Sequence, residues 1–188
     1  MKKNNHKNFI TLFSVVMLFV FMCCSKGINE TVASFADRAE IPVLKTTDVV
    51  TMISDSGITR YRITAPEWAI YDKAEEPYWN FPKGITFERF DGDFQTDANI
   101  ISDEAIFFEN KKLWELTGNV KATNLKGEIF ETEKLFWDQT KERIYSPEAV
   151  SITQSDKVIH GTGFNSNQTL SKYEITKVHG IFPLKDDE

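Results

Sequence analysis

Two pairs of carboxylates, Asp103/Glu104 and Glu131/Glu133, stand close enough in sequence to raise the question of acid–base chemistry. Two carboxyl groups flanking a glycosidic bond are the machinery of glycoside hydrolysis. Neighbouring residues of a strand project to opposite faces, so Asp103 and Glu104 do not converge. Glu131 and Glu133 share a face, but charged side chains on the solvent side of a strand are commonplace. His160 and His179 each stand isolated beside a glycine, and His6 lies near the N-terminus; none has the spacing of a metal site. There is no Ser/His/Asp signature and no phosphate-cradling glycine loop. The expectation is a chain that is not an enzyme and uses no cofactor and no metal.

The two cysteines carry a different message. Lys2, Lys3 and Lys7 precede an apolar run from Phe9 to Met22, broken only by Thr11 and Ser14, which ends at Cys23-Cys24. As a helix this run reaches about 21 Å, short of the roughly 30 Å hydrocarbon core of a bilayer. That length suits a secretory signal, and a cysteine directly behind it marks a bacterial lipoprotein. Cys24 is the expected lipid anchor, with Cys23 the small residue before the cut. The alternative is an uncleaved, tilted signal anchor over residues 9–24. Either way the bulk of the chain is expected at the periplasmic face of the inner membrane. With Cys24 acylated the mature part holds no free thiol and no disulfide, which excludes metal sites built on cysteine.

Removing the leader takes three lysines and no acid, so the net charge moves from −6 to −9. An acidic surface argues against nucleic acid and against a polybasic membrane patch. With 13% aromatic residues, including 15 Phe and 4 Trp, the chain can build a core or a greasy binding surface. Residues 25–44 are polar and mixed, and Ile41-Pro42-Val43 forbids a helix there, so they read as a tether.

From Lys45 onward short alternating segments are separated by turn residues, the pattern of an all-β domain over 45–188. Asp55-Ser56-Gly57 is turn chemistry, which places a hairpin over 48–65. In residues 113–124 the even positions Trp114, Leu116, Val120 and Ala122 take one face, and Glu115, Thr117, Asn119, Lys121 and Thr123 the other. A weak repeat of about 30 residues links Ser102–Phe108, Thr132–Trp137 and Gly161–Phe164. Stacked units of this kind bury a continuous face and leave two ends, as in an elongated jellyroll.

The order of these segments carries a resemblance. Leu116-Thr117-Gly118-Asn119-Val120-Lys121-Ala122 is followed by Gly127-Glu128-Ile129-Phe130 running on to Trp137-Asp138. Ile144-Tyr145-Ser146-Pro147-Glu148-Ala149-Val150 and Gly161-Thr162-Gly163-Phe164 complete the series. Together they resemble the OstA-like superfamily of lipopolysaccharide transport. Within it they are similar to the LptC family, over about Lys45 to Pro183. Upstream, Ala65-Pro66-Glu67-Trp68-Ala69 and Pro82-Lys83-Gly84-Ile85-Thr86-Phe87-Glu88 fit as well.

The resemblance implies a twisted, partly open β-jellyroll whose apolar interior cradles acyl chains. It implies lipopolysaccharide received from an inner-membrane ABC transporter complex and passed to a periplasmic OstA-like bridge protein. The residues expected to line the groove are Ile63, Phe87, Trp114, Leu116, Val120, Trp137, Val150, Ile152, Phe164 and Ile175. For each of them core packing is an equal reading, since in this fold the core is the groove. Gly161 is expected near the C-terminal edge that meets the bridge protein. Two other readings remain open: the soluble-type bridging component of the same pathway, and a carbohydrate-binding or scaffolding jellyroll lipoprotein. The apolar leader ending in cysteines disfavours the first, and an open apolar seam would disfavour the second.

Overall fold

The computed structural model describes residues 38–179. The leader, Cys24, the first part of the tether, and the tail beyond His179 lie outside them. Eleven strands follow one another: β1 (Leu44–Asp55), β2 (Ile58–Tyr71), β3 (Tyr78–Phe81), β4 (Ile85–Phe90), β5 (Thr96–Ser102) and β6 (Glu104–Phe108). β7 (Leu113–Asn124), β8 (Ile129–Asp138), β9 (Arg143–Thr153), β10 (Val158–Asn167) and β11 (Tyr173–His179) complete the order. All pairings are antiparallel, and all eleven strands belong to one sheet.

The register shows why eleven strands make nine rows. β4 pairs with residues 61–64 of β2 and β3 with residues 69–71, along the same edge. β5 and β6 likewise share one edge of β7. So β3 and β4 are one row interrupted at Pro82-Lys83-Gly84, and β5 and β6 one row interrupted at Asp103. The other long rows carry a register shift at mid-length: between Thr117 and Val120, between Thr132 and Phe136, and between Thr162 and Phe164. Bulges bend a strand and raise its twist. Aligned from row to row, they form a crease.

The sheet folds over along that crease. Residues 58–64, β4, β5, 120–124, 129–132, 149–153 and 158–162 form one wall; the other halves of the rows form the second. In a flat sheet Tyr61 and Trp137, four strand spacings apart, would lie at least about 19 Å from each other. Their ring centroids are 5.3 Å apart. Phe87 of the first wall meets Trp114 and Trp137 of the second at 5.7 and 4.7 Å. Further along, Phe130 meets Phe164 at 5.3 Å and Tyr173 at 5.0 Å. The result is a jellyroll-like, all-β domain, as the alternation predicts, and the sheet's two ends, β1 and β11, each pair with one neighbour only among the described residues.

Local chemistry explains the turns. Ser56 and Gly57 join β1 to β2 with φ of 51° and 81°, the two positive values that a tight hairpin matching the strand twist requires. Edge strand β1 is fastened from beneath by the buried Glu67, which binds Lys45 of β1 and Lys83 of the crease, each at 2.8 Å. The Lys45 and then the Lys83 ammonium hold the Glu67 carboxyl below its ordinary value of 4.5. A depressed carboxyl stabilises the fold above its unfolded pKa, and that stabilisation is lost as pH falls through the folded one. We therefore expect amide protection factors in β1 to drop, relative to those in β8, as pH is lowered below 4.5. Glu67→Gln should show the same loosening already at neutral pH. Equal protection of β1 in both proteins at both pH values would refute the fastening.

Candidate functional site

Two rows of register run the full width of the interior. On the first wall, consecutive partners are Ile63, Phe87, Ile100, Ala122, Phe130, Ile152 and Ile159. On the second, they are Ile70, Trp79, Phe107, Trp114, Trp137, Ile144, Ser166 and Tyr173. Each side chain sits about 4.8 Å from the next along its row. The rows face each other, so the space between the walls is a continuous apolar band that crosses the eight rows from β2 to β11. It is aromatic where β2 to β8 meet, and it carries buried hydroxyls further on: Ser166, and Thr132 hydrogen-bonded to Ser146 across the crease at 3.1 Å.

Nine of the expected groove residues, Ile63, Phe87, Trp114, Leu116, Val120, Trp137, Val150, Ile152 and Phe164, are buried in this band, and Ile175 on β11 is packed against it half-buried. The structure brings all ten together as one core. That core is filled: the enclosed space beside Phe87, Ile100, Trp137 and Ile144 amounts to about 10 Å³, room for one water. Any guest between the walls must displace side-chain contacts as it enters.

Gly161 lies one row in from the edge, paired with Val150 of β9 and Val178 of β11. It is not itself on the free edge. Its missing side chain is what lets β11 sit there: a Cβ would stand 2.6 Å from the Lys177 carbonyl oxygen and would collide with the Ile175 side chain.

The carboxylates with possible acid–base chemistry, and His160, lie on the outside. Asp103, Glu104, Glu131, Glu133 and His160 are all exposed, and among the described residues no three metal-binding side chains gather. Glu131, Glu133 and His160 border a broad shallow depression of about 660 Å³ above the crease, shared with Lys121, Ser151 and Thr162. Lys121 and Glu131 stand 4.0 Å apart there, and Asp103 accepts a hydrogen bond from Asn119 Nδ2 at 2.7 Å.

One interior residue of the β10–β11 turn was not legible. Leu170, in the turn between β10 and β11, is fully buried at φ 55°. Asn124 Nδ2 donates to its carbonyl at 3.0 Å, so the turn folds inward and stops the end of the apolar band. Nothing in Asn167-Gln168-Thr169-Leu170-Ser171 distinguishes this leucine from a surface turn residue.

A single sheet folded over an apolar band, with the outer edges of β1 and β11 free among the described residues, defines a jellyroll-like domain with an apolar interior. The family described as lipopolysaccharide-assembly, LptC-related, matches residues 12–182. The chain belongs to the LptC family, a transport and bridging family, and with it to lipopolysaccharide transport. No curated protein matches the chain.

Proposed function

We propose that this chain is the membrane-tethered relay of lipopolysaccharide export. It takes the acyl chains of lipopolysaccharide between its two walls, receiving them from an inner-membrane ABC transporter complex and passing them to a periplasmic OstA-like bridge protein. It stands at the periplasmic face of the inner membrane, anchored by lipid at Cys24 or by an uncleaved N-terminal helix. The energy for transport comes from the partner ATPase.

The observation that carries this reading is the continuous apolar band between walls whose far ends, β1 and β11, remain unpaired among the described residues. Unpaired edges are normally a liability. Here they are suited to main-chain pairing with neighbouring domains. β1 presents Leu44, Val50 and Met52 to solvent, and β11 presents Val178. The filled interior suits transfer too. Burying a methylene contributes roughly 0.8 kcal/mol, so several long chains in a preformed cavity would bind too tightly to be passed on. Parting packed walls offsets much of that gain and leaves exchange reversible. The chain's net negative charge adds no attraction for a phosphorylated lipid.

Intact lipopolysaccharide should therefore bind the full chain, while the same molecule stripped of its acyl chains should not, as read by native mass spectrometry. Equal binding of the deacylated saccharide would overturn the reading and favour the carbohydrate-binding alternative.

A further inference from the structure

The apolar band has a charged corner. Arg89, opposite Tyr61 on β2 and Ala98 on β5, lies two residues along β4 from Phe87 and borders the small space beside Trp137 and Gln168. Its Nη2 pairs with Asp97 Oδ2 at 2.9 Å. An arginine and a carboxylate can make two parallel hydrogen bonds, yet this pair leaves a donor and an acceptor unused. Arg89 Nε and Asp97 Oδ1 are both shielded from solvent and have no hydrogen-bond partner among the described residues. Asp97 is only 9% exposed. Burial pushes its carboxyl up, with the Arg89 charge opposing. Trp137 Nε1, bordering the same space, is likewise buried and without a partner.

Leaving a buried donor or acceptor unmatched costs the full desolvation of that group. An unmatched donor and an unmatched acceptor on one opened ion pair have a common complement. A hydroxyl both donates and accepts. It can donate to Asp97 Oδ1 while accepting from Arg89 Nε, and the space that Arg89, though not Asp97, lines is walled by Phe87, Ile100, Trp137 and Ile144, the surroundings of an alkyl chain.

Resting on the reading of the interior as an acyl-chain groove, we propose that Arg89 and Asp97 form a subsite for a hydroxyl carried on an acyl chain. The subsite fixes how far along the groove that chain sits. Trp137 Nε1 is placed to receive a second oxygen of the same chain, such as its ester or amide carbonyl. A plain alkyl chain in the same place would leave all three groups unmatched, and sites built to pair a hydroxyl reject analogues that lack it.

The test compares methyl 3-hydroxytetradecanoate with methyl tetradecanoate on the full chain, with binding read by tryptophan fluorescence. The hydroxylated ester should bind at least about tenfold more tightly. In the double variant Arg89→Met/Asp97→Leu that preference should disappear or reverse, with binding of the plain ester retained or improved. Replacing both members of a buried pair by apolar residues of similar size commonly leaves a fold intact, and a thermal melt confirms that this one is. If both esters bind the unmodified protein equally, the subsite is refuted while the groove stands. A preference that persists in the double variant refutes it too. If neither ester binds, the groove reading fails and the subsite with it.

Discussion

Trp114→Ala is expected to lower the stability of the domain by about 3–5 kcal/mol, the cost of removing a fully enclosed large aromatic side chain. Trp114 is 2% exposed and is surrounded by four rings: Phe81 at 5.6 Å, Phe87 at 5.7 Å, Phe107 at 4.7 Å and Trp137 at 6.3 Å. Phe87 belongs to the opposite wall, so the indole ties the folded halves together as well as filling space. Set against the 5–15 kcal/mol that typically separates native from unfolded states, this single truncation approaches the whole margin. Urea denaturation reads it as a lower midpoint with the slope unchanged. Trp114→Phe, which retains most of the packing, should cost well under half as much. The cavity left by alanine is apolar, and an alkyl ester that enters it should recover part of the lost stability by mass action. A loss below about 1 kcal/mol for Trp114→Ala would mean that the walls are not held together here.

Gly161→Ala is the second. The added methyl group meets the Lys177 carbonyl oxygen at 2.6 Å, a backbone atom that cannot rotate away, as well as the Ile175 side chain. Either β11 peels from β10 or both strands shift. Overpacking of this kind costs typically 1–3 kcal/mol, and at a terminal strand most of that falls on the strand itself. Amide protection over residues 173–178 should fall sharply while β7 and β8 change little. Gly92→Ala is the control: a Cβ there meets nothing within 4 Å, so protection should be unaltered. Unchanged protection of β11 in Gly161→Ala would show that the edge strand is not seated by this glycine. If it is, Gly161 acts on the edge of the sheet through β11 and not from the edge itself.

Much of the fold was legible because alternation is a local signal. The strand expected over 113–124 is β7, and the turn at Asp55-Ser56-Gly57 is the β1–β2 connection. The repeat of about 30 residues corresponds to successive hairpins bent at the same crease. Where the sequence was opaque, the cause was the crease itself. A bulge inserts one residue and reverses which parity faces inward. In β8 burial passes from Phe130 and Thr132 to Leu135 and Trp137 across the shift. In β2, whose register with β1 runs on past Pro66, Ile63 and Ala65 are buried at odd positions, yet beyond Pro66 it is Trp68 that stacks on Phe81 at 5.7 Å. The odd residue there, Glu67, is buried for another reason, as the seat of two lysines. Pattern alone shows an acidic residue in a strand and places it in solvent.

The candidate site divides the same way. Apolar residues on the inward face could be named from alternation, and the structure gathers all ten. Whether they line a groove or fill a core is a question of spacing between two walls, which no local pattern encodes. Arg89, Asp97 and Leu170 were missed because a charged residue in a strand and a leucine in a turn have surface placements as their default.

The central claim is that acyl chains lie between the two walls, and photo-crosslinking in living cells tests it most directly. A photoreactive residue placed at Trp114, Val150 or Ile175 should capture lipopolysaccharide, while one at Glu115, which bonds Lys134 at 2.5 Å on the outer face, should not. Adducts at Glu115 with none at the three inward positions would contradict the account.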